Sequence, residues 1–138
     1  MDADPKSRVN LLDLAKKYTA AWCSSDPARV AAFYSPDGSL TVNDAAPAVG
    51  TSAIAQVAQG FMASFPDMQV IMDDLIIDGD HTVYHWTLTG TNNGPGGTGN
   101  PVRISGHEKW KIGVDGLIAE SLGYFDDALY QHQLQHGL

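Results

Sequence analysis

Two carboxylic side chains are predicted to lie on otherwise apolar strand faces. Glu108 falls between Gly106 and Trp110 in an alternating run, and Asp126 ends a later run on the side that carries Tyr124. Burial among aromatic groups raises the pKa of a carboxyl, which suits it to acid or base catalysis near neutral pH. The alternative for Asp126 is a solvated strand end that caps the next element, and for Glu108 a bulge that turns it outward.

The other residues with catalytic potential do not form a recognisable site. His85 and His107 share the predicted outer face, and His132 and His136 lie one helical turn apart near the C-terminus with no third donor. We therefore predict no metal site. Cys23 is expected to fill the core. The glycine-rich segment 94–99 lies between two predicted strands and opens no helix, so it does not match a phosphate-binding loop.

Hydrophobic periodicity predicts the elements that must position Glu108 and Asp126. Helices are predicted over Arg8–Trp22, Pro27–Tyr34 and from residue 51 to 64, with Ser7, Asp26 and Thr51 or Ser52 as N-caps. Strands are predicted over 39–43, 68–78, 81–91, 102–112 and 117–126, and residues from 127 onward form either a helical turn or a tail. Helices followed by a meander of strands indicate an α+β fold, with three N-terminal helices on one face of the sheet.

Strand alternation predicts which aromatic side chains face the helices. Tyr84, Trp86 and Leu88 make one face of their strand much more apolar than the other. Trp110 has the same parity as Glu108 on the next strand. We therefore expect Trp86 and Trp110 on the same, inner face of the sheet.

Length and charge limit the class of protein. The chain has 138 residues and a formal net charge of -8. One domain spanning residues 1–138 is expected, with residues 1–6 and 135–138 flexible. The negative charge disfavours nucleic acid and anionic membrane surfaces as partners, and no apolar run approaches the ~20 residues that span a bilayer. The N-terminus lacks the apolar region of a signal peptide, which favours a cytoplasmic location.

Several segments resemble a known superfamily. Residues 18–26, 30–34 and 50–54 resemble the opening of ketosteroid isomerases and SnoaL-like polyketide cyclases, which belong to the nuclear transport factor 2-like superfamily. Residues 65–68, 90–95, 115–120 and 124–127 resemble the SnoaL-like branch more closely. The resemblance covers nearly the whole chain. It implies a cone-shaped fold with a strongly curved, mostly antiparallel sheet, no cofactor, and a homodimer formed through the outer sheet face.

The resemblance also implies roles for individual residues. Tyr18 matches the tyrosine with which the isomerases hold an enolate oxygen, and Glu108 matches their second, protonated donor, which is usually Asp. The isomerase base aligns near Val42, which cannot accept a proton, and Asn43 or Asp44 would replace it only with a shift in the alignment. Asp126 matches the general acid/base of SnoaL-like cyclases.

These roles lead to one main hypothesis for the function and two alternatives. The main hypothesis is cofactor-free proton transfer alpha to a carbonyl, as in cyclisation or isomerisation of an apolar cyclic or polyketide-like substrate, with Asp126 as base and Tyr18 and Glu108 as donors. The pocket for a small apolar or aromatic ligand would consist of Trp22, Tyr34, Trp86, Trp110 and Tyr124. A non-catalytic binding module is the first alternative. Hydrolysis is the second, and it would require an arginine beside the catalytic carboxylate, whereas Arg103 is predicted to face outward.

Overall fold

The computed structural model describes residue 4 and residues 6–138. The helices are α1 (Arg8–Trp22), α2 (Pro27–Ala31), α3 (Thr51–Ser64) and α4 (Asp127–His136), and the strands are β1 (Tyr34–Val42), β2 (Ala48–Val49), β3 (Gln69–Asp78), β4 (His81–Thr91), β5 (Pro101–Ile112) and β6 (Ile118–Phe125). The strands form one curved sheet in the order β2-β1-β6-β5-β4-β3, in which only the β1–β6 pair is parallel. The predicted α+β fold with a mostly antiparallel sheet is confirmed.

Two of the three predicted helices begin at the N-cap residue that the sequence predicts. The Ser7 side chain accepts a hydrogen bond from the backbone of Asn10, and Asp26 accepts one from Ala28. The third helix instead begins at Thr51, after Gly50, and has no side-chain cap. Gly50 adopts a φ of 89°, a conformation that favours glycine, so the predicted Thr51 or Ser52 cap is wrong.

The core lies between the inner face of the sheet and the helices. The Tyr18 ring of α1 contacts Tyr84 at 5.5 Å and Trp110 at 5.2 Å between ring centroids. Tyr84 of β4 stacks on Trp110 of β5, with ring centroids 4.9 Å apart. Trp86 lies on the same side, because it lines a cavity together with Trp22 of α1. The predicted parity of β4 and β5 is therefore confirmed.

Strand β6 departs from the predicted alternation because its pairing with β5 contains a bulge. Ile112 pairs with Ile118 and Lys111 pairs with Glu120, which leaves one extra residue on β6. Beyond the bulge the inward side changes: Ser121 is fully buried, whereas Tyr124 is 44% exposed. The prediction that Tyr124 and Asp126 lie on the apolar, inner side of this strand is wrong for this reason.

The two remaining differences are at element ends. The second helix ends at Ala31, and Tyr34 begins β1 instead of closing the helix. The C-terminal residues form α4, whose Tyr130 ring contacts Phe65 and Phe125. Residues 135 and 136 lie in α4, and the flexibility expected for residues 1–6 and 135–138 stays a prediction, of which residues 1–3 and 5 lie outside the described residues. Over the described residues, no helix is long and apolar enough to cross a membrane.

Candidate active site

The Glu108 carboxyl is held at the centre of the fold by three hydrogen bonds to one of its oxygens. Glu108 lies in the middle of β5 and is 7% exposed. Its Oε1 accepts hydrogen bonds from the Tyr18 hydroxyl at 2.9 Å, the Trp110 indole at 3.0 Å and the Ser121 hydroxyl at 2.7 Å. Among the described residues, none donates to Oε2. One carboxyl oxygen is therefore fixed by protein groups and the other is free.

Two tyrosines extend this network into the core. The Tyr34 hydroxyl lies 2.8 Å from the Tyr18 hydroxyl. Because Tyr18 donates its proton to Glu108, Tyr34 must donate to Tyr18. Burial, followed by the proximity of Glu108, raises the pKa of both phenols well above their usual range. Both tyrosines are therefore neutral hydrogen-bond donors at any physiological pH.

Burial raises the pKa of Glu108 above its ordinary value of 4.5. The hydrogen bonds from Trp110, Ser121 and Tyr18, together with the nearby Tyr34 hydroxyl, act in the opposite direction and lower the pKa. The indole N–H of Trp110 can only donate, and Oε1 already accepts three bonds. When Glu108 is protonated, its proton therefore belongs on Oε2.

Glu108 lines a cavity of about 60 Å³ whose walls are otherwise almost entirely apolar. The other lining residues are Trp22, Leu40, Val42, Val57, Phe61, Val70, Tyr84, Trp86, Leu88, Gly123 and Phe125. Among these described residues, Glu108 alone carries a carboxyl group. The volume is room for about five water-sized groups, at roughly 10–15 Å³ each. The cavity thus presents a single acid to a small apolar space.

The predicted site residues divide into two groups around this carboxyl. Trp22 and Trp86 line the cavity. Tyr18, Tyr34 and Trp110 are buried beside Glu108 and are not part of the cavity wall. The convergence of Tyr18 and Glu108 is confirmed, but Tyr18 contacts the carboxyl and does not reach the cavity.

Asp126 and Tyr124 lie outside the cavity, so their predicted placement is wrong. Asp126 is exposed, and its Oδ1 accepts a hydrogen bond from the backbone N–H of Leu129 at 3.0 Å as the N-cap of α4. The Tyr124 ring contacts the ring of His107 on the outer sheet face. The bulge in β6 is the physical reason, because it moves both side chains off the inner face. Asp126 is thus not among the described residues that line the cavity beside Glu108.

Three residues of β6 that line the cavity or support Glu108 were not predicted from the sequence. Ser121 donates to Glu108, and Gly123 and Phe125 line the cavity beside it. These residues alternate at odd positions of β6, so the same periodicity argument would have found them if the bulge had been placed. Nothing in the sequence before residue 118 signals that bulge.

Two indole N–H groups of the cavity residues have no hydrogen-bond partner. The Nε1 atoms of Trp22 and Trp86 are buried and unpaired in the described part of the chain. The Trp86 ring rests on Gly106, where an added Cβ would lie 2.5 Å from Cζ2 of the indole. The glycine therefore makes space for Trp86 against the sheet. No group of three or more potential metal ligands occurs in the described ranges, residues 4 and 6–138.

The comparison with known families agrees with this architecture. The SnoaL-like domain family matches residues 15–121, which include the second half of α1 and most of the sheet. The chain belongs to the SnoaL-like family. A sequence comparison with curated proteins found no significant match to this chain.

Solved structures show the same fold at low sequence identity. AclR, a putative hydroxylase from Streptomyces galilaeus, is 23% identical, with a TM-score of 0.78 over 93% of this chain and 82% of that chain. A hypothetical protein with a ketosteroid isomerase-like fold from Catenulispora acidiphila, in complex with trimethylamine, is 16% identical, with a TM-score of 0.77 over 88% of this chain and 91% of that chain. A putative SnoaL-like polyketide cyclase from Jannaschia sp. is 16% identical, with a TM-score of 0.74 over 91% and 94%.

Proposed function

We propose that this SnoaL-like protein is an enzyme that transfers a proton alpha to a carbonyl group, with Glu108 as the proton-transferring residue. The observation that supports this proposal is that the two oxygens of the Glu108 carboxyl have different surroundings. Oε1 is held by Tyr18, Trp110 and Ser121, and Oε2 is left for a ligand in an apolar cavity. The polyketide cyclase among its structural neighbours is consistent with this class of reaction.

The environment of Glu108 suits it to accept and return a proton. Catalysis by a general acid or base is most effective when the pKa of the group lies near the working pH. Burial moves the pKa of Glu108 upward from 4.5, in that direction. In its ionised form the carboxyl takes a proton from the α-carbon, and in its protonated form it returns the proton at another carbon. One carboxyl is sufficient for an isomerisation of this kind.

Tyr18, Trp110 and Ser121 are positioning residues in this scheme. They hold Oε1 and thereby fix the direction of Oε2, so that little reorganisation is needed at the moment of transfer. The small cavity limits what can be buried beside Oε2 to about five water-sized groups. A single ring or a short ketone arm fits this space, and a larger substrate would keep the rest of its skeleton outside.

A non-catalytic binding module is the second candidate. The observation that favours it is the absence of a second carboxyl on the cavity wall, among the lining residues that the structure describes. Val42 occupies the position where the isomerases place their base, and it lines the cavity as an apolar residue. In this case Glu108 would hydrogen-bond to a ligand without chemistry.

Exchange of α-protons with deuterium distinguishes the two candidates. Cyclohex-3-en-1-one in D₂O, followed by proton NMR, reports both exchange and migration of its double bond. We expect the protein to accelerate exchange and Glu108→Gln to lower that rate by about 10²–10⁴-fold, the usual contribution of a general acid or base. Asp126→Asn is the control and keeps the rate, because Asp126 is outside the cavity.

Each contrary outcome has a distinct meaning. Exchange at the same rate in the wild type and Glu108→Gln would overturn the role of Glu108. Binding of the ketone, seen as a change in tryptophan fluorescence, with no exchange above the buffer rate would support the binding module. A loss of rate in Asp126→Asn would restore Asp126 as the base.

We also propose a cytoplasmic homodimer that pairs through the outer face of the sheet. This face carries the exposed apolar side chains of Ile71 and Tyr124 beside polar residues of β4 and β5. Burying such side chains between two copies would be favourable. Sedimentation equilibrium of the wild type and of Ile71→Lys tests this pairing, since the charged variant should be monomeric if the face is the interface.

A further inference from the structure

Five of the twelve described residues that line the cavity are aromatic, and one of the twelve carries a carboxyl group. The aromatic residues are Trp22, Phe61, Tyr84, Trp86 and Phe125. Aromatic faces attract organic cations, and enclosures of this type recognise alkylated ammonium groups in proteins. We propose that the cavity binds a small alkylammonium ion, whose charge is neutralised by the Glu108 carboxylate. This proposal uses the same carboxyl as the proposed function but requires no catalysis.

The hydrogen bonds to Glu108 already favour its ionised form. Tyr18, Trp110 and Ser121 all donate to Oε1, and each of these bonds lowers the pKa of the carboxyl. Desolvation is the opposing effect, because no lysine, arginine or histidine among the described lining residues supplies a counter-charge. An ammonium ion beside Oε2 would supply that counter-charge, and an N–H of the ion would donate to the free oxygen.

The charges of the surrounding protein also favour a cation. Among the described residues that line the cavity there is no lysine, arginine or histidine. The chain as a whole carries a formal charge of -8, which raises the local concentration of cations. An anionic ligand would find no positive partner here.

The size of the cavity limits the ion to a small one. Room for about five water-sized groups is enough for trimethylammonium, which has four non-hydrogen atoms. An ammonium ion on a longer chain would bind with only its head group inside.

Below the pKa of Glu108, binding an ammonium ion must release one proton from the carboxyl. The ion enters already charged, and the carboxyl must lose the proton on Oε2 to form the ion pair, so that this proton passes to the buffer. The titratable groups that face the carboxyl are the phenols of Tyr18 from α1, Tyr34 from β1 and Tyr84 from β4. β5 and β6 contribute Trp110 and Ser121, which do not titrate. All three phenols have raised pKa values, so the released proton can come only from Glu108.

Isothermal titration calorimetry with trimethylammonium chloride tests this proposal on the full chain. We expect the affinity to rise about tenfold per pH unit while Glu108 is protonated in the free protein, and to level off above its pKa. Titrations in two buffers with different ionisation enthalpies should show one proton released per ion at the lower pH. The neutral molecule 2-methylpropan-2-ol also carries three methyl groups on one central atom and should bind at least tenfold more weakly, with no increase in affinity as the pH rises.

Two variants decide whether Glu108 is the counter-ion. Glu108→Gln should lower the affinity for trimethylammonium at least tenfold and abolish proton release. Glu120→Gln removes the same charge from the neighbouring strand and should change neither. Equal affinity in Glu108→Gln, or equal affinity for the neutral alcohol, would overturn the proposal.

The proposed proton transfer and the proposed ammonium binding are tested independently of each other. Exchange of the ketone's α-protons without binding of trimethylammonium would overturn only the ammonium proposal. Ammonium binding without ketone exchange would support it and overturn the proposed proton transfer.

Discussion

The Tyr18 hydroxyl donates a hydrogen bond to Oε1 of Glu108 across 2.9 Å, and so connects the first helix to the centre of the sheet. The two residues are 90 positions apart in the chain. Because this bond ends on Oε1, together with those from Trp110 and Ser121, it leaves Oε2 free at the cavity. Tyr18 therefore determines how the acid is presented, although it does not line the cavity itself.

Replacing Tyr18 by phenylalanine should raise the pKa of Glu108 further. The Tyr18 hydrogen bond lowers that pKa, and its loss also leaves the buried Tyr34 hydroxyl without its partner. We expect the free energy of unfolding to fall by about 1–3 kcal/mol, as urea denaturation would measure. Tyr84→Phe is the matched control, because its hydroxyl pairs with Thr19 at 2.5 Å and not with Glu108. Equal shifts of the Glu108 titration in both variants would exclude the hydrogen bond as the cause.

The stability difference between Glu108→Gln and the wild type should depend on pH. The pKa of Glu108 is raised by folding, so above about pH 4.5 the unfolded chain loses this proton while the folded chain keeps it. The unfolded state then binds fewer protons, and the wild type loses about 1.4 kcal/mol of stability per pH unit until the folded pKa is passed. Glutamine does not titrate, so the variant gains relative stability over that window. A pH-independent difference between the two proteins would contradict the raised pKa.

The inner faces of β4 and β5 could be predicted because neither strand is interrupted. Tyr84, Trp86 and Trp110 alternate with polar residues, and their ladder runs without a break from Thr82 to Thr91. Glu108 was found for the same reason. The capping roles of Ser7 and Asp26 could also be predicted, because each side chain accepts a hydrogen bond from a backbone N–H only two or three residues away.

The positions of Asp126 and Tyr124 could not be predicted because they depend on a single extra residue in β6. A bulge reverses the alternation of everything that follows it, and its position is set by the pairing with β5, not by local sequence. Asp126 matches the general acid/base of the SnoaL-like cyclases in sequence, but this match did not predict where its side chain lies. The start of β1 at Tyr34 likewise depends on its parallel pairing with β6.

Glycine at position 106 should be essential to the position of Trp86. A Cβ there would lie 2.5 Å from Cζ2 of Trp86 and 2.4 Å from the carbonyl oxygen of Tyr124. Gly106→Ala should therefore displace the indole toward the cavity and cost about 1–3 kcal/mol, measured by denaturation with tryptophan fluorescence. Gly60→Ala is the control, because nothing lies within 4 Å of its added Cβ inside α3, and it should stabilise the protein by about 0.5–1 kcal/mol. A neutral effect of Gly106→Ala would refute the close packing of Trp86.

Asp126 should act as a helix cap and have no effect on a ligand in the cavity. Asp126→Ala removes the acceptor for the Leu129 N–H and should cost about 0.5–2 kcal/mol of stability, whereas Asp126→Asn keeps an acceptor and should cost much less. Thermal unfolding of the two variants measures the difference. Equal losses in both would show that charge, not capping, is what Asp126 contributes.

The most direct test of the central claim is the titration of the Glu108 carboxyl itself. The chain contains only two glutamates, Glu108 and Glu120, so labelling with ¹³C-glutamate gives two carboxyl resonances for NMR. The Glu108→Gln variant identifies the resonance of interest by its absence. We predict that this resonance titrates with a midpoint clearly above 4.5. A midpoint at or below 4.5 would show an ionised carboxylate at neutral pH and would contradict Glu108 as a group that exchanges a proton with its ligand.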